Sequence, residues 1–457
     1  MLRGIPTLIL SCWFAMGSGI AWAAPRLLPP DRTATPIPLT VLDAPYNTDG
    51  HWPSMRQSLD VSYAASRLPV WGIRRGFDRV RNRPLATGLG IATVYAAAYP
   101  LLFVAGWSHE EWHRAVMANR GISSRNGIFH PSAWSDGLIS VDRVADEDLG
   151  RLKDDHPADT VRLMSAGIEA QAALGQRIGD HAFLYGNRGR RWGPLYLSQT
   201  WMFPVLQLNE LNQIIYYATC ARSNNDTLTD DQNRLRVTVP ARDFTGLDCT
   251  AFARDLHRPD EPYVDRGPHP YGEGVDRYVS WSDLTASEQR FLRAQLGLHF
   301  ISLLDPHLYG IDGITMGQQR AGRWLLQATH QLTPYGFEVQ SRVSVVTGAF
   351  AGFFSWVHGV NARSYFPGLR GNLVGLPLGR TPLALDATVS AWLQPRGLRF
   401  DEARGRLGGR LAATLHWRIA SVASFDLELD AKSAGFVPGN VYLDRNLSLR
   451  FGTTLRL

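Results

Sequence analysis

The chain has 457 residues, a formal charge of +6 and 45% hydrophobic residues, among them 14 Trp, 15 Tyr and 19 Phe. That length and apolar content suit two or three domains with a sizeable buried core and exclude a natively disordered chain. Of the 47 basic residues only Lys153 and Lys432 are lysines, and the arginines are spread along the chain, so composition points to no nucleic-acid partner.

Arg3 precedes a mostly apolar run from Ile5 to Ile20, and Ala21-Trp22-Ala23 places small residues at the positions a signal peptidase reads. Residues 1–23 therefore read as a secretory signal peptide. Lipidation at Cys12, in Ile9-Leu10-Ser11-Cys12, would leave a very short apolar core before the cysteine. Export leaves Cys220 and Cys249 where disulfides form; a bridge between them and two separate buried thiols both remain open.

Residues 25–60 are rich in Pro, Thr and Asp with little periodicity, and 24–84 reads as an extended leader. Leu85 to Trp107 is almost entirely apolar or small, long enough to raise the question of a transmembrane helix. Gly88, Gly90, Pro100 and the dominance of alanine favour a buried core element instead. Pro100 suits the first turn of a helix that continues through "WSHEEWHRAVMANRG" (Trp107 to Gly121) and is capped by Gly121.

A second helix is signalled by Pro157, by Asp159 at the positive end of the dipole, by Val161, Met164, Ile168 and Ala172 at helical spacing, and by Gly179 after its end. Pro194 to Ala221 and Leu292 to Ile311 also read as helical, and Arg258 to Tyr278 is too rich in Pro and Gly to be regular. A helical domain over 85–315 is the expectation.

From about Gly322 the period becomes two. In "RLGGRLAATLHWRI" Leu407, Leu411, Leu415, Trp417 and Ile419 share one face, and Arg406, Arg410, Thr414, His416 and Arg418 the other. The same alternation or near relatives of it at 322–332, 337–345, 350–362, 369–379, 383–394, 425–431 and 447–457 bring the count to about eight strands. Their length and their division into an apolar and a charged face suit an antiparallel β-barrel over 320–457. The region resembles bacterial outer-membrane barrels, although the chain ends on Leu457 where an aromatic residue is most common in that group. A soluble sheet domain is the competing expectation.

The chemistry lies at Trp107 to Gly121. His109 and His113, four apart on a helix, stand about one turn from each other on one face and can point at a common ion. Glu110 is rotated beside that line, where it can take a proton from water on the metal. The bland reading is a solvated helix face with Glu110 pairing locally with Arg114.

A catalytic zinc usually takes three protein ligands, and Glu169 on the second helix is the best candidate for the third, with Glu147 as runner-up. With Glu169 the residues resemble the gluzincin group of zinc metallopeptidases, in which His-Glu-x-x-His on one helix is completed by a glutamate from a later helix. Glu169-Ala170 is followed here by Gln171, so the match to the branch with a Glu-Ala-Asp run is partial. The resemblance covers about residues 100–180. It implies zinc held by His109, His113 and Glu169, Glu110 as general base, and hydrolysis of a peptide or protein substrate. Tyr185, His156 and Arg190 are unranked candidates for stabilising the oxyanion.

The expected molecule is thus α+β: a mainly helical zinc-binding domain followed by an antiparallel barrel, exported to the outer membrane or periplasm. The alternative from another class is a non-catalytic outer-membrane barrel protein with a helical plug or periplasmic interaction domain.

Overall fold

The computed structural model describes residues 36–127, 141–186, 191–316, 322–347 and 350–456. The signal-peptide expectation at 1–23, and Arg190, lie outside the described residues.

In chain order the elements are β1 (Pro36–Ala44), α1 (Met55–Phe77), α2 (Arg83–Ala118), β2 (Arg125–Asn126), β3 (Val141–Asp142), α3 (Asp146–Asp155) and α4 (Pro157–Tyr185). There follow β4 (Arg191–Trp192), β5 (Leu195–Leu197), α5 (Phe203–Cys220), α6 (Asn225–Leu235), α7 (Asp248–His257) and α8 (Ala286–His299). The chain ends in β6 (Ile311–Thr315), β7 (Arg323–Thr333), β8 (Gly336–Val346), β9 (Ala351–Val360), β10 (Tyr365–Pro377), β11 (Leu383–Pro395), β12 (Gly405–Ala420), β13 (Ala423–Lys432) and β14 (Asn446–Arg456).

The molecule is α+β, as the change of period from 3.6 to two requires. All eight expected strands are present as β7 to β14. The barrel expectation is corrected: β1 and β4 to β6 extend the ladder to a 12-stranded antiparallel sheet in the order β1-β14-β13-β12-β11-β10-β9-β8-β7-β6-β5-β4. Among the described residues no hydrogen-bonded pair joins its two ends, so the sheet is open. Closure needs a partner for both edges, and the edges are β1, borrowed from the start of the chain, and the two-residue β4.

The supposed leader is also structured. Residues 36–44 pair with β14, and 55–77 form α1, whose start is a capping box in which the Ser54 side chain accepts from the Gln57 N–H and Gln57 accepts from the Ser54 N–H. α2 does not begin at Pro100 but runs from Arg83 to Ala118, its parts Arg83–Tyr99 and Phe103–Ala118 meeting at a bend of about 40°. Nor is its first half a wholly buried core element. Ala86, Val94 and Ala98 are buried, whereas Leu85 is 53% and Tyr99 71% exposed. Among the described residues no single helix is long and apolar enough to cross a membrane. α4 passes the expected stop at Gly179, where a Cβ would stand 2.9 Å from the His307 ring; that glycine serves packing and not termination.

The main core lies among the helices and includes Tyr63, Val94, Trp112, Val116, Leu163, Leu174, Tyr217 and Phe252. The sheet divides as its alternation dictates. On one face Leu385, Leu415, Leu427, Phe451 and Leu42 form a row across five neighbouring strands, and Leu407, Leu411, Val389 and Leu447 are exposed on the same side. On the other face Arg410 pairs with Asp430 at 2.8 Å and Arg450 with Asp43 at 2.8 Å and with Glu428. Residues of β1 and of β8 to β14 line one cavity together with α4, so the sheet curls around that helix with its charged face inward.

Candidate metal centre

α2 is buried all around from Ser108 to His113 because three helices wedge it in place. α1 accepts a hydrogen bond from the Trp112 Nε1–H on Ser58 Oγ, 3.1 Å. α4 crosses so closely that a Cβ on Gly167 would sit 2.2 Å from His109 Nε2, an approach only glycine allows. α7 brings its first residue, Asp248, against both imidazoles.

Asp248 Oδ2 lies 3.1 Å from His109 Nε2 and 3.3 Å from His113 Nε2, and the ligand atoms of the three residues all fall within 4.8 Å of one another. Two donors each about 2.0–2.1 Å from a tetrahedral ion stand about 3.3 Å apart, a spacing that the two contacts of Asp248 match. The carboxylate occupies the first turn of α7, where the helix dipole favours negative charge. His113 Nδ1 donates to the Leu163 carbonyl at 2.5 Å, which fixes the tautomer and leaves Nε2 as a lone-pair donor; that Nε2 is buried without a hydrogen-bond partner. That orphaned nitrogen, beside the His109 and Asp248 donors, fits a divalent cation.

The electrostatics agree. Burial, with His113 alongside, holds the His109 imidazole below its ordinary pKa despite the Asp248 hydrogen bond, so the ring is neutral as a ligand must be. Burial pushes the Asp248 carboxyl up, but the His113 charge and the His109 and His113 hydrogen bonds, present when the imidazoles carry protons, outweigh it and hold it below the ordinary carboxylate range. Glu110 is pushed well above the ordinary carboxylate range by burial and then by Asp248, Asp243 and Glu111. Tyr216 of α5 stands with its ring 6.2 Å from the His109 ring; burial, then Asp248, Tyr217 and Glu110, keep its phenol protonated. The site is not sealed, since the His109 and Asp248 side chains retain 11% and 12% exposure.

Glu169, expected as the third ligand, is corrected. Its carboxylate accepts from Arg162 Nη2 at 3.0 Å and from the Gly439 N–H at 2.8 Å and takes no part in the cluster. The reason is helical phase: Leu163 and Gly167 face the site, and Glu169, two residues beyond Gly167, is rotated about 200° from it. Glu147 sits in the first turn of α3 and is not in the cluster either. His156 precedes α4, and Tyr185 packs on His181 at that helix's far end, roughly 27 Å along the axis from Gly167.

Glu110 does not pair with Arg114; the local pair is Glu111 with Arg114, and Glu111 also accepts from Asn126 Nδ2 at 2.8 Å. Sequence reasoning missed Asp248, 139 residues from His109. The one available signal was its neighbour. Cys249 and Cys220 form a disulfide with Cα atoms 6.0 Å apart, which settles the open question about the cysteines and pins Asp248 beside the end of α5.

The fold and site together define an α+β protein in which a helical layer presents a His-His-Asp group able to hold a metal ion and a curled sheet surrounds one of the helices. Comparison with protein-family models, with curated proteins and with solved structures finds no match to this chain.

Proposed function

We propose that the protein is an exported, membrane-associated, zinc-dependent hydrolase of the metallopeptidase type. The observation that carries the reading is the convergence of His109, His113 and Asp248, from two separated helices, with Glu110 buried beside them. The choice of a peptide bond as substrate rests on the likeness of His109-Glu110-x-x-His113 to zinc peptidases.

When bound, zinc supplies Lewis acidity toward a carbonyl oxygen and brings the pKa of its water near neutrality. The chain's own groups do the rest. Glu110 accepts the proton of the attacking water and passes it to the leaving amine as the C–N bond breaks. Tyr216, which keeps its proton, donates its O–H to the oxygen on which negative charge develops. The Leu163 carbonyl holds His113 in the tautomer that leaves Nε2 as the donor.

Membrane association is supported by the unpartnered apolar face of the sheet: β10 to β12 have 13, 13 and 16 residues, enough to cross the hydrocarbon core when tilted, with apolar residues outward and charge inward. The disulfide suits an oxidising compartment. That same face favours a second reading, a non-catalytic outer-membrane protein in which α4 acts as a plug.

Metal analysis with a peptide-hydrolysis assay separates them. The hydrolase reading expects about one equivalent of zinc, lost in His109→Ala and Asp248→Asn, and Glu110→Gln with zinc retained but hydrolysis down at least a hundredfold. A purified chain that takes up no stoichiometric zinc overturns the hydrolase reading and leaves the plug.

A further inference from the structure

We infer that the cavity between α4 and the charged face of the sheet is a binding site for a small oxyanion of the phosphate or carboxylate class, anchored on Arg370. It shares no residue with the metal centre and stands or falls separately from it.

It comprises a cavity of about 350 Å³ and an adjoining one of about 170 Å³, both lined by Arg56, Arg177, Arg370 and Arg410. These arginines are not equivalent. Arg177 pairs with Asp60 at 2.8 Å, and Arg56 shares the same carboxylate at 3.5 Å. Arg410 pairs with Asp430 at 2.8 Å, and Arg342, on the same wall, with Asp180 at 2.7 Å.

Arg370, on β10, has no hydrogen bond or ion pair among the described residues, and its Nε is buried. The acid that acts on it, Glu338, is already engaged, accepting from Tyr335 Oη at 2.6 Å and from Gln331 Nε2 at 2.9 Å. Arg370 is half-buried, and a guanidinium in such a cavity with no ion pair of its own is costly, the more so because the nearby Arg342 and Arg410 add to the positive field. An incoming oxyanion relieves that cost, and the planar fork of N–H donors matches two oxygens of a carboxylate or phosphate. The cavity admits a small ligand and leaves no room for a macromolecule.

The test is isothermal titration of the full chain in detergent at low salt with inorganic phosphate and, separately, with citrate. The expected result is binding of at least one of them near one equivalent, weakened at least tenfold in Arg370→Gln and accompanied by a rise in Tm that the variant does not show. Binding of phosphate alone assigns a phosphoryl ligand, and of citrate alone a carboxylate ligand. Arg370→Gln removes an unpaired charge and is expected to fold; Arg370→Lys, which keeps the charge and loses the fork, is a second variant and should also bind more weakly. No binding of either anion by the wild type, or binding unchanged in both variants, overturns the inference.

Discussion

Gly167 of α4 lies directly over the imidazole of His109, so close that a single added carbon would stand 2.2 Å from Nε2. The placement of this candidate ligand ring against the helix that crosses it is therefore set by one glycine. Gly167→Ala should cost about 1–3 kcal/mol of stability through overpacking and should weaken zinc binding at least tenfold, since the ring must rotate out of line with Asp248. Thermal unfolding and zinc titration of the variant check this; unchanged zinc affinity would show that the ring has room to move.

Glu169 and Asp248 make opposite predictions. Glu169→Gln breaks a fully buried ion pair with Arg162 and should lower stability by about 3–5 kcal/mol while leaving zinc stoichiometry intact. Asp248→Asn should abolish stoichiometric zinc. Should the two variants exchange these behaviours, the third ligand would be Glu169 after all.

The Cys220–Cys249 bridge closes a 29-residue separation and links Asp248 on α7 to α5, which carries Tyr216 one turn before Cys220. Loop-closure entropy alone predicts a loss of about 3.5 kcal/mol on removing it. Cys249→Ser should show that loss in urea unfolding and, because it frees the carboxylate's neighbour, a zinc dissociation rate at least tenfold faster.

Asp255 links stability to pH. It lies on α7 between Lys153 Nζ at 2.9 Å and Arg266 Nη2 at 2.8 Å. Burial raises its carboxyl, yet Arg266 and Lys153 outweigh burial and hold it below the ordinary value. The unfolded chain thus binds the proton more readily, so the stabilisation is complete above about pH 4 and is lost as pH falls through the lower folded value. Urea midpoints between pH 6 and pH 2.5 should fall less steeply in Asp255→Asn than in the wild type.

Leu427 sits in the middle of the apolar row and is 47% exposed. If that face meets lipid, Leu427→Arg should cost about 2–4 kcal/mol when the protein is unfolded from liposomes. In water a surface change of this kind is worth about 0.5 kcal/mol or less, so the size of the effect reports the environment.

Several of these features were legible in the chain itself. Leu407 to Ile419, like the other alternating segments, can bury its charged side only as a strand, and strand number and approximate bounds follow from local pattern. His109 and His113 are neighbours by helical geometry alone. The start of α1 was missed although Ser54 and Gln57 spell a capping box, because the preceding Pro-rich residues hid it. Gly179 misled because a glycine that ends a helix and one that admits a neighbour are the same letter.

What the sequence determined by itself was everything that depends on the spacing of residues close in the chain: the change from helix to strand, the two-faced sheet, and the paired imidazoles one turn apart. Only the tertiary structure decided that Asp248 and not Glu169 joins those imidazoles, that β1 returns to lengthen the sheet, and that the sheet stays open around α4. The physical reason is that these outcomes depend on which faces of distant helices cross and at what phase. A rotation of about 200° along α4 turns Glu169 away from His109, and no local periodicity encodes what lies across the crossing.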